Sequence, residues 1–313
     1  MEIAVPRSAP TLREPTRGRA ARWYERLIET GLAGCGLTSI AITIGIVVIL
    51  IHESEPFFAH VSLGEFLGSR KWTPIIGDHP SYGVWPLLSA TLTTSAIALA
   101  VAVPLGLLSA IYLSEYAHPR TRKVVKPALE LLAGVPTIVF GYFAITTLTP
   151  TLRDWVPNLA GGNMLSAGLM MGIMIVPLVA SLSEDAIYAV PQSLREAAAG
   201  LGAGTYEAIR KVIVPSAWSG IAAAITLAAS RAIGETMIVA IAAGNEARFG
   251  FDPRQPGQTA TAYIVDISKG ETPHGSIAYQ TIFAVAAMLF VMTLIMNVVS
   301  FRLSRRLRAS ARA

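Results

Sequence analysis

The chain has 313 residues, 53% of them hydrophobic and only 14% charged, and its mean hydropathy is +0.53. Soluble domains carry about 25% charged residues, so this composition excludes a soluble globular protein and points to one embedded in a bilayer. The formal net charge of +5 sits in short segments beside apolar runs, which orients membrane proteins and argues against nucleic-acid binding as the purpose of the basic residues.

Residues 1–27 read as a cytoplasmic arm, mobile over the Pro- and Arg-rich stretch 1–22. Six apolar stretches are long enough to span a membrane: 28–51, 86–113, 128–150, 164–182, 217–243 and 277–301. The expected class is therefore an all-α polytopic membrane protein. Lys and Arg concentrate at 7–26, 120–126, 195–211 and 302–312. Elsewhere the loops carry only Arg70, Lys71, Arg153, Arg248, Arg254 and Lys269. This asymmetry predicts that both termini and the 195–215 loop face the cytoplasm. Cys35, the single cysteine, lies beside Gly34 and Gly36 in the first span and reads as a small packing residue.

The loop 52–85 should face outward. Its aromatics Phe57, Phe58, Phe66, Trp72, Tyr82 and Trp85 read as an interfacial belt, or alternatively as a surface touching an external partner. In the second span, Ser89, Thr91, Thr93, Thr94 and Ser95 are expected mainly to bond back to helix carbonyls, the alternative being that they line a polar path. The third span opens with Glu130, read as a snorkelling or paired surface charge, and carries Pro136 in Ala133-Gly134-Val135-Pro136-Thr137, which should face protein. The fourth holds Gly168 and Gly172 in a small-xxx-small face for close helix approach. Glu184 and Asp185 then mark its exit.

The segment 195–215, REAAAGLGAGTYEAIRKVIVP, has a different character. Glu196, Arg210 and Lys211 keep it out of hydrocarbon, and Gly200, Gly202 and Gly204 predict two short helices with a bend. Such a segment suits a groove on a soluble partner. No G-x-x-x-x-G-K-[ST] occurs, so the chain has no Walker loop of its own and its energy source must lie elsewhere.

The fifth span places Arg231 and Glu235 near its middle. A charge there costs roughly 2.5 to 3.5 kcal/mol even on lenient scales. Four residues apart, the two share a helix face and can pair. One reading is a buried pair that fixes helix register. The other is an anion pathway, in which the guanidinium fork matches oxyanion geometry. The loop 246–276 is expected to be outward and polar. His52, His60, His79 and His274 fall in outward loops and His118 inside, all read as solvated and without metal-ligand spacing.

Glu196-Ala197-Ala198, Gly202 and Val212-Ile213-Val214-Pro215 resemble the cytoplasmic loop signature of ABC importer permeases. Trp72-Thr73-Pro74, Ala110 to Ala117 and Arg231 to Met237, with Gly244-Asn245, are similar to phosphate-importer permeases of the PstC type, more than to the sister PstA type. The resemblance spans about 62–305 and departs at Gly200 and Val214. It implies a type I importer permease (MetI-like) fold, with a core over 86–302 and a basic tail over 303–313. It assigns Arg231 and Glu235 to the substrate pathway, and Glu196, Ala197, Ala198, Gly202 and Pro215 to coupling with an ATPase. The same resemblance implies no catalytic residue, metal or cofactor in this chain; ATP and Mg belong to the partner. Implied partners are phosphate, a PstA-type permease, a PstB-type ATPase dimer, a PstS-type external phosphate-binding protein and the lipid bilayer of a bacterial inner membrane. Alternatives are a permease for sulfate or molybdate, an ion-driven secondary transporter, and a membrane receptor that senses phosphate without moving it.

Overall fold

A computed structural model describes residues 19–75, 80–270, 272–273 and 275–310. Most of the expected mobile arm, together with His79 and His274, lies outside the described residues. By internal contacts the chain divides into 1–49 and 50–313.

The described residues of the first unit form one helix, the beginning of α1 (Arg19–His60). It starts inside the stretch expected to be an arm, where Ala20 and Ala21 favour helix, and it runs on past residue 51. Leu32, Leu37, Ile40, Ile44 and Ile46 are all exposed, as befits a helix that is apolar all round and meets lipid or another span.

The second unit is a helical bundle with a small capping layer. Among the described residues five helices are long and apolar enough to cross a membrane, or six if one bent pair counts as a single span. Its centre is the pairing of α3 (Trp85–Ile111) with α7 (Met164–Tyr188). The glycines of α7 make that approach possible: a Cβ on Gly168 would lie 2.8 Å from Ile97, and one on Gly172 2.8 Å from Val101. α10 (Val214–Ile233) packs on both, and α13 (Ile277–Ser310) packs on α10. Ala98, Ala167, Met171, Ile175 and Ala228 fill the seam.

Two expected spans are broken. The third divides into α4 (Pro119–Ala133) and a stretch from Thr137 to Arg153 bent 84° away from it. That stretch comprises α5 (Thr137–Phe143), a π-helical turn (Ala144–Leu148) and α6 (Thr149–Arg153). Gly134 ends α4, and Pro136, which has no N–H to donate, begins α5. Its protein-facing side is Phe140, Gly141 and Ala144, while Ile138, Val139 and Tyr142 are exposed. The fifth span stops at Ile233 and resumes as α11 (Met237–Ala242), packed on α5.

Four of the six aromatics expected in a belt form a core instead, with Phe58 half-buried against it and Trp85 left exposed. α2 (Leu63–Gly68) and the hairpin of β1 (Trp72–Thr73) with β2 (Ser81–Tyr82) fold Phe57, Phe66, Trp72 and Tyr82 into one buried cluster. The rings meet edge to face at 5.0–6.3 Å, reaching Tyr263, which removes these side chains from any external surface. Tyr263 belongs to α12 (Ala260–Lys269), in the segment expected to be a polar loop. Ala260, Thr261, Ala262, Tyr263 and Ile267 are buried there because α12 covers the ends of α3 and α13.

A candidate pathway break and a coupling turn

Arg231 and Glu235 flank the break between α10 and α11. Arg231 lies in the last turn of α10 and Gly234 ends that helix. The Glu235 carboxylate Oε1 accepts from the backbone N–H groups of Met237 and Ile238 at 3.2 and 3.4 Å. Each charge thus complements a helix end, the cation at a C-terminus and the anion at an N-terminus. The intrahelical pair allowed by the spacing is not formed: Glu235 is 7% exposed and turned to the amides. Arg231 is exposed, with Nη2 3.7 Å from Met174 Sδ. A continuous helix would have stacked the two side chains; the stop at Gly234 turns them apart.

The break is held from behind. Thr261 Oγ1 donates to the Glu235 carbonyl at 2.7 Å, and the Ala260 N–H donates to Thr91 Oγ1 at 3.1 Å. Four of the five α3 hydroxyls bond back along their own helix as expected, Ser89 to the Pro86 carbonyl, Thr91 to Leu87, Thr93 to Ser89 and Thr94 to Ala90, whereas Ser95 Oγ is buried without a partner among the described residues. Ser89 and Thr91 also accept from the 250–260 segment. Nearby, Arg254 binds Asp252 through Nε and Nη2, and those hydrogen bonds hold the Asp252 carboxyl below its ordinary range. Burial pushes the Tyr263 phenol, hydrogen-bonded to Thr281, above its ordinary value.

The 195–215 segment has the expected bent form. α8 (Gln192–Gly200) ends in a Schellman turn: Ala203 N–H donates to the Ala198 carbonyl and Gly202 N–H to Ala199. Gly202 adopts φ +84°, the left-handed conformation that such a turn requires. α9 (Thr205–Ala208) and a π-helical turn (Ile209–Ile213) then lead into α10. Glu196, Ala197 and Pro215 are exposed, whereas Ala198 is buried and packs the turn inward. At the tip Leu201 is 90% and Tyr206 68% exposed.

Sequence reasoning missed what holds this turn. Arg195 Nη1 donates to both carboxylate oxygens of Glu115 at 2.5 Å, and Nη2 to the Ile187 carbonyl at 2.9 Å. Glu115 sits on the π-helical turn (Tyr112–Tyr116) that ends α3. The sequence carries one signal for this contact: an arginine in the first turn of α8 is unfavourable for the helix itself. Glu184 was likewise read only as an exit marker. It is 1% exposed and ion-paired to Arg122 and Lys126 of α4, with Lys126 also 2.7 Å from Asp185. Arg122 stacks on the Tyr188 ring at 4.1 Å. His118 is exposed, as expected, and also accepts from Arg120 N–H, which caps α4.

Residues 102–309 match the family described as binding-protein-dependent transport system inner membrane component. The chain is 33% identical over 283 residues to the probable ABC transporter permease protein YqgH of Bacillus subtilis, covering 90% of each. It is 32% identical over 260 residues to the phosphate transport system permease protein PstC of Mesorhizobium japonicum, covering 77% of this chain and 78% of the other. Among solved structures it resembles a bacterial ABC transporter involved in import of the acidic polysaccharide alginate, with TM-score 0.63 at 16% identity over 91% of this chain and 99% of that one. The inward-facing MetNI methionine transporter gives TM-score 0.54 at 20% identity over 72% and 94%. Both structural likenesses are of fold.

Proposed function

This chain belongs to the family of binding-protein-dependent transport system inner membrane components, and on that premise we propose that it is the permease subunit of an ATP-driven importer of inorganic phosphate. Its relatives include several named phosphate permeases. The observation that carries the ATP-driven part is the Schellman-capped turn, which leaves Leu201 and Tyr206 exposed at its tip. A soluble ATPase seated there would push on α8 and, through it, on the ends of α3 and α7.

In this reading both termini and the turn are cytoplasmic, ATP and Mg stay with a PstB-type dimer, and a PstA-type permease completes the pathway. A PstS-type binding protein delivers phosphate from outside. Arg231 supplies the anion-facing cation. Glu235, held here on the amides of α11, lines the same break and exchanges partners as the pathway opens and closes. Nucleotide drives transport only insofar as it binds one global state better than the other.

The test is reconstitution of the four-component complex in proteoliposomes with labelled phosphate. Uptake should require ATP and the binding protein. Competition by sulfate or molybdate at equal concentration would reassign the cargo, and uptake by this chain alone under an ion gradient would replace the reading with secondary transport. Specific phosphate binding without flux would indicate a receptor.

A further inference from the structure

We propose that Arg195 and Glu115 are positioning residues for energy coupling: together they form a latch that converts movement of the 192–213 turn into movement of the end of α3. The inference rests on the reading of that turn as the seat of an ATPase and goes beyond it by naming the connection to the bundle. Arg195 grips three elements at once. Its own helix is α8, its partner Glu115 lies on the π-helical turn after α3, and its third bond goes to the Ile187 carbonyl in the last turn of α7.

Three features separate this contact from an ordinary surface ion pair. The side chains are 19% and 9% exposed, so solvent screens them weakly. One guanidinium nitrogen, Nη1, contacts both carboxylate oxygens while Nη2 is committed to the Ile187 carbonyl, so one charged group ties two elements with charge-assisted hydrogen bonds. Ser114 Oγ also donates to Glu115 Oε1 at 2.9 Å, restraining the acceptor. Single π-helical turns are often found at functional sites. Here the π turn carries the carboxylate that Arg195 holds.

By contrast, Lys211 and Glu207, also within the segment, pair at 2.6 Å but are largely exposed and four residues apart on one strand of helix. That pair joins nothing to the bundle. Among the described residues, the latch is a charged connection through which a push on Leu201 and Tyr206 reaches α3 and α7.

The experiment uses the complete complex with its ATPase, reconstituted in proteoliposomes, and reads ATP hydrolysis and phosphate uptake on the same sample. A second reading, cross-linking from Leu201→Cys to the ATPase, reports whether the turn is seated. For Arg195→Gln and Glu115→Gln, phosphate imported per ATP should fall by roughly tenfold while hydrolysis and cross-linking persist. The exchange Glu115→Arg with Arg195→Glu should recover a large part of that ratio. An unchanged ratio in both single variants overturns the latch. So does a parallel loss of hydrolysis and cross-linking, which would make the pair a support for the turn's own fold. If the Leu201→Cys form with the native latch gives no cross-link to the ATPase, the reading of the turn as its seat falls, and the latch with it.

Discussion

Arg231 closes α10 and Glu235 caps the start of α11, so the break at Gly234 separates two charges that an unbroken helix would have placed on one face. The cost of each charge is met locally, by a helix terminus for the cation and by two amides for the carboxylate. Neither depends on the other for its place in the fold. Substitutions at the two positions should therefore have separable effects.

Arg231→Gln should abolish most uptake while the complex assembles normally. The guanidinium is exposed and contacts a thioether, so its removal leaves no buried charge without a partner. Its effect on stability should stay within about 0.5 kcal/mol. Co-purification of the subunits together with phosphate uptake checks this. Loss of assembly would make Arg231 a structural contact with a neighbouring subunit.

Glu235 behaves differently. Glu235→Ala leaves the Met237 and Ile238 amides without their acceptor in a buried position and should cost about 2 kcal/mol. Glu235→Gln retains an acceptor oxygen and should cost less than half as much. Thermal unfolding of the purified complex ranks the two. Equal destabilisation would mean that the carboxylate charge, and not the hydrogen-bond geometry, holds the break.

The sequence made the spans, their small-residue faces and the bent 195–215 segment legible, because each depends on local composition: apolar length, Gly spacing, or alternation of Ala with Gly. It did not reveal the breaks at Gly134 and Gly234. Both fall inside stretches that read as single spans, 128–150 and 217–243, and hydropathy does not register a change of axis. The aromatic cluster was legible as a group and misplaced in space. Rings at a membrane interface and rings in a small core look alike until the hairpin and α12 close over Phe57 and Trp72. Arg195 and Glu115 stand eighty residues apart, a distance over which one sequence carries no pairing information.

Gly202 should show a graded series. Its φ of +84° is the difficulty, since a Cβ there would meet nothing within 4 Å. Gly202→Asn, which tolerates the left-handed region, should retain most uptake. Gly202→Ala should cost roughly 1 to 2 kcal/mol at the turn, and Gly202→Val more. Proteolysis of the turn and uptake should follow the same order. If all three variants transport equally, the Schellman turn is not needed to present Leu201.

At the junction of α4 with α7, Glu184 and Asp185 are adjacent and both contact Lys126, yet they should differ sharply. Glu184 is 1% exposed and also receives Arg122, whereas the Asp185 side chain is 59% exposed. Removing a buried charge from between two cations can cost 3 to 5 kcal/mol, but Arg122 and Lys126 are each 27% exposed and can turn partly to water. Glu184→Gln should therefore lose about 2 kcal/mol, and Asp185→Asn less than about 1 kcal/mol, as for a solvated pair. Raising the salt concentration should shrink the Asp185 effect and leave most of the Glu184 effect, because ions reach the exposed pair more readily. Thermal unfolding of both variants at low and high salt is the measurement. A Glu184→Gln protein as stable as the unsubstituted one would show that α4 is held on α7 by its apolar contacts and not by the buried carboxylate.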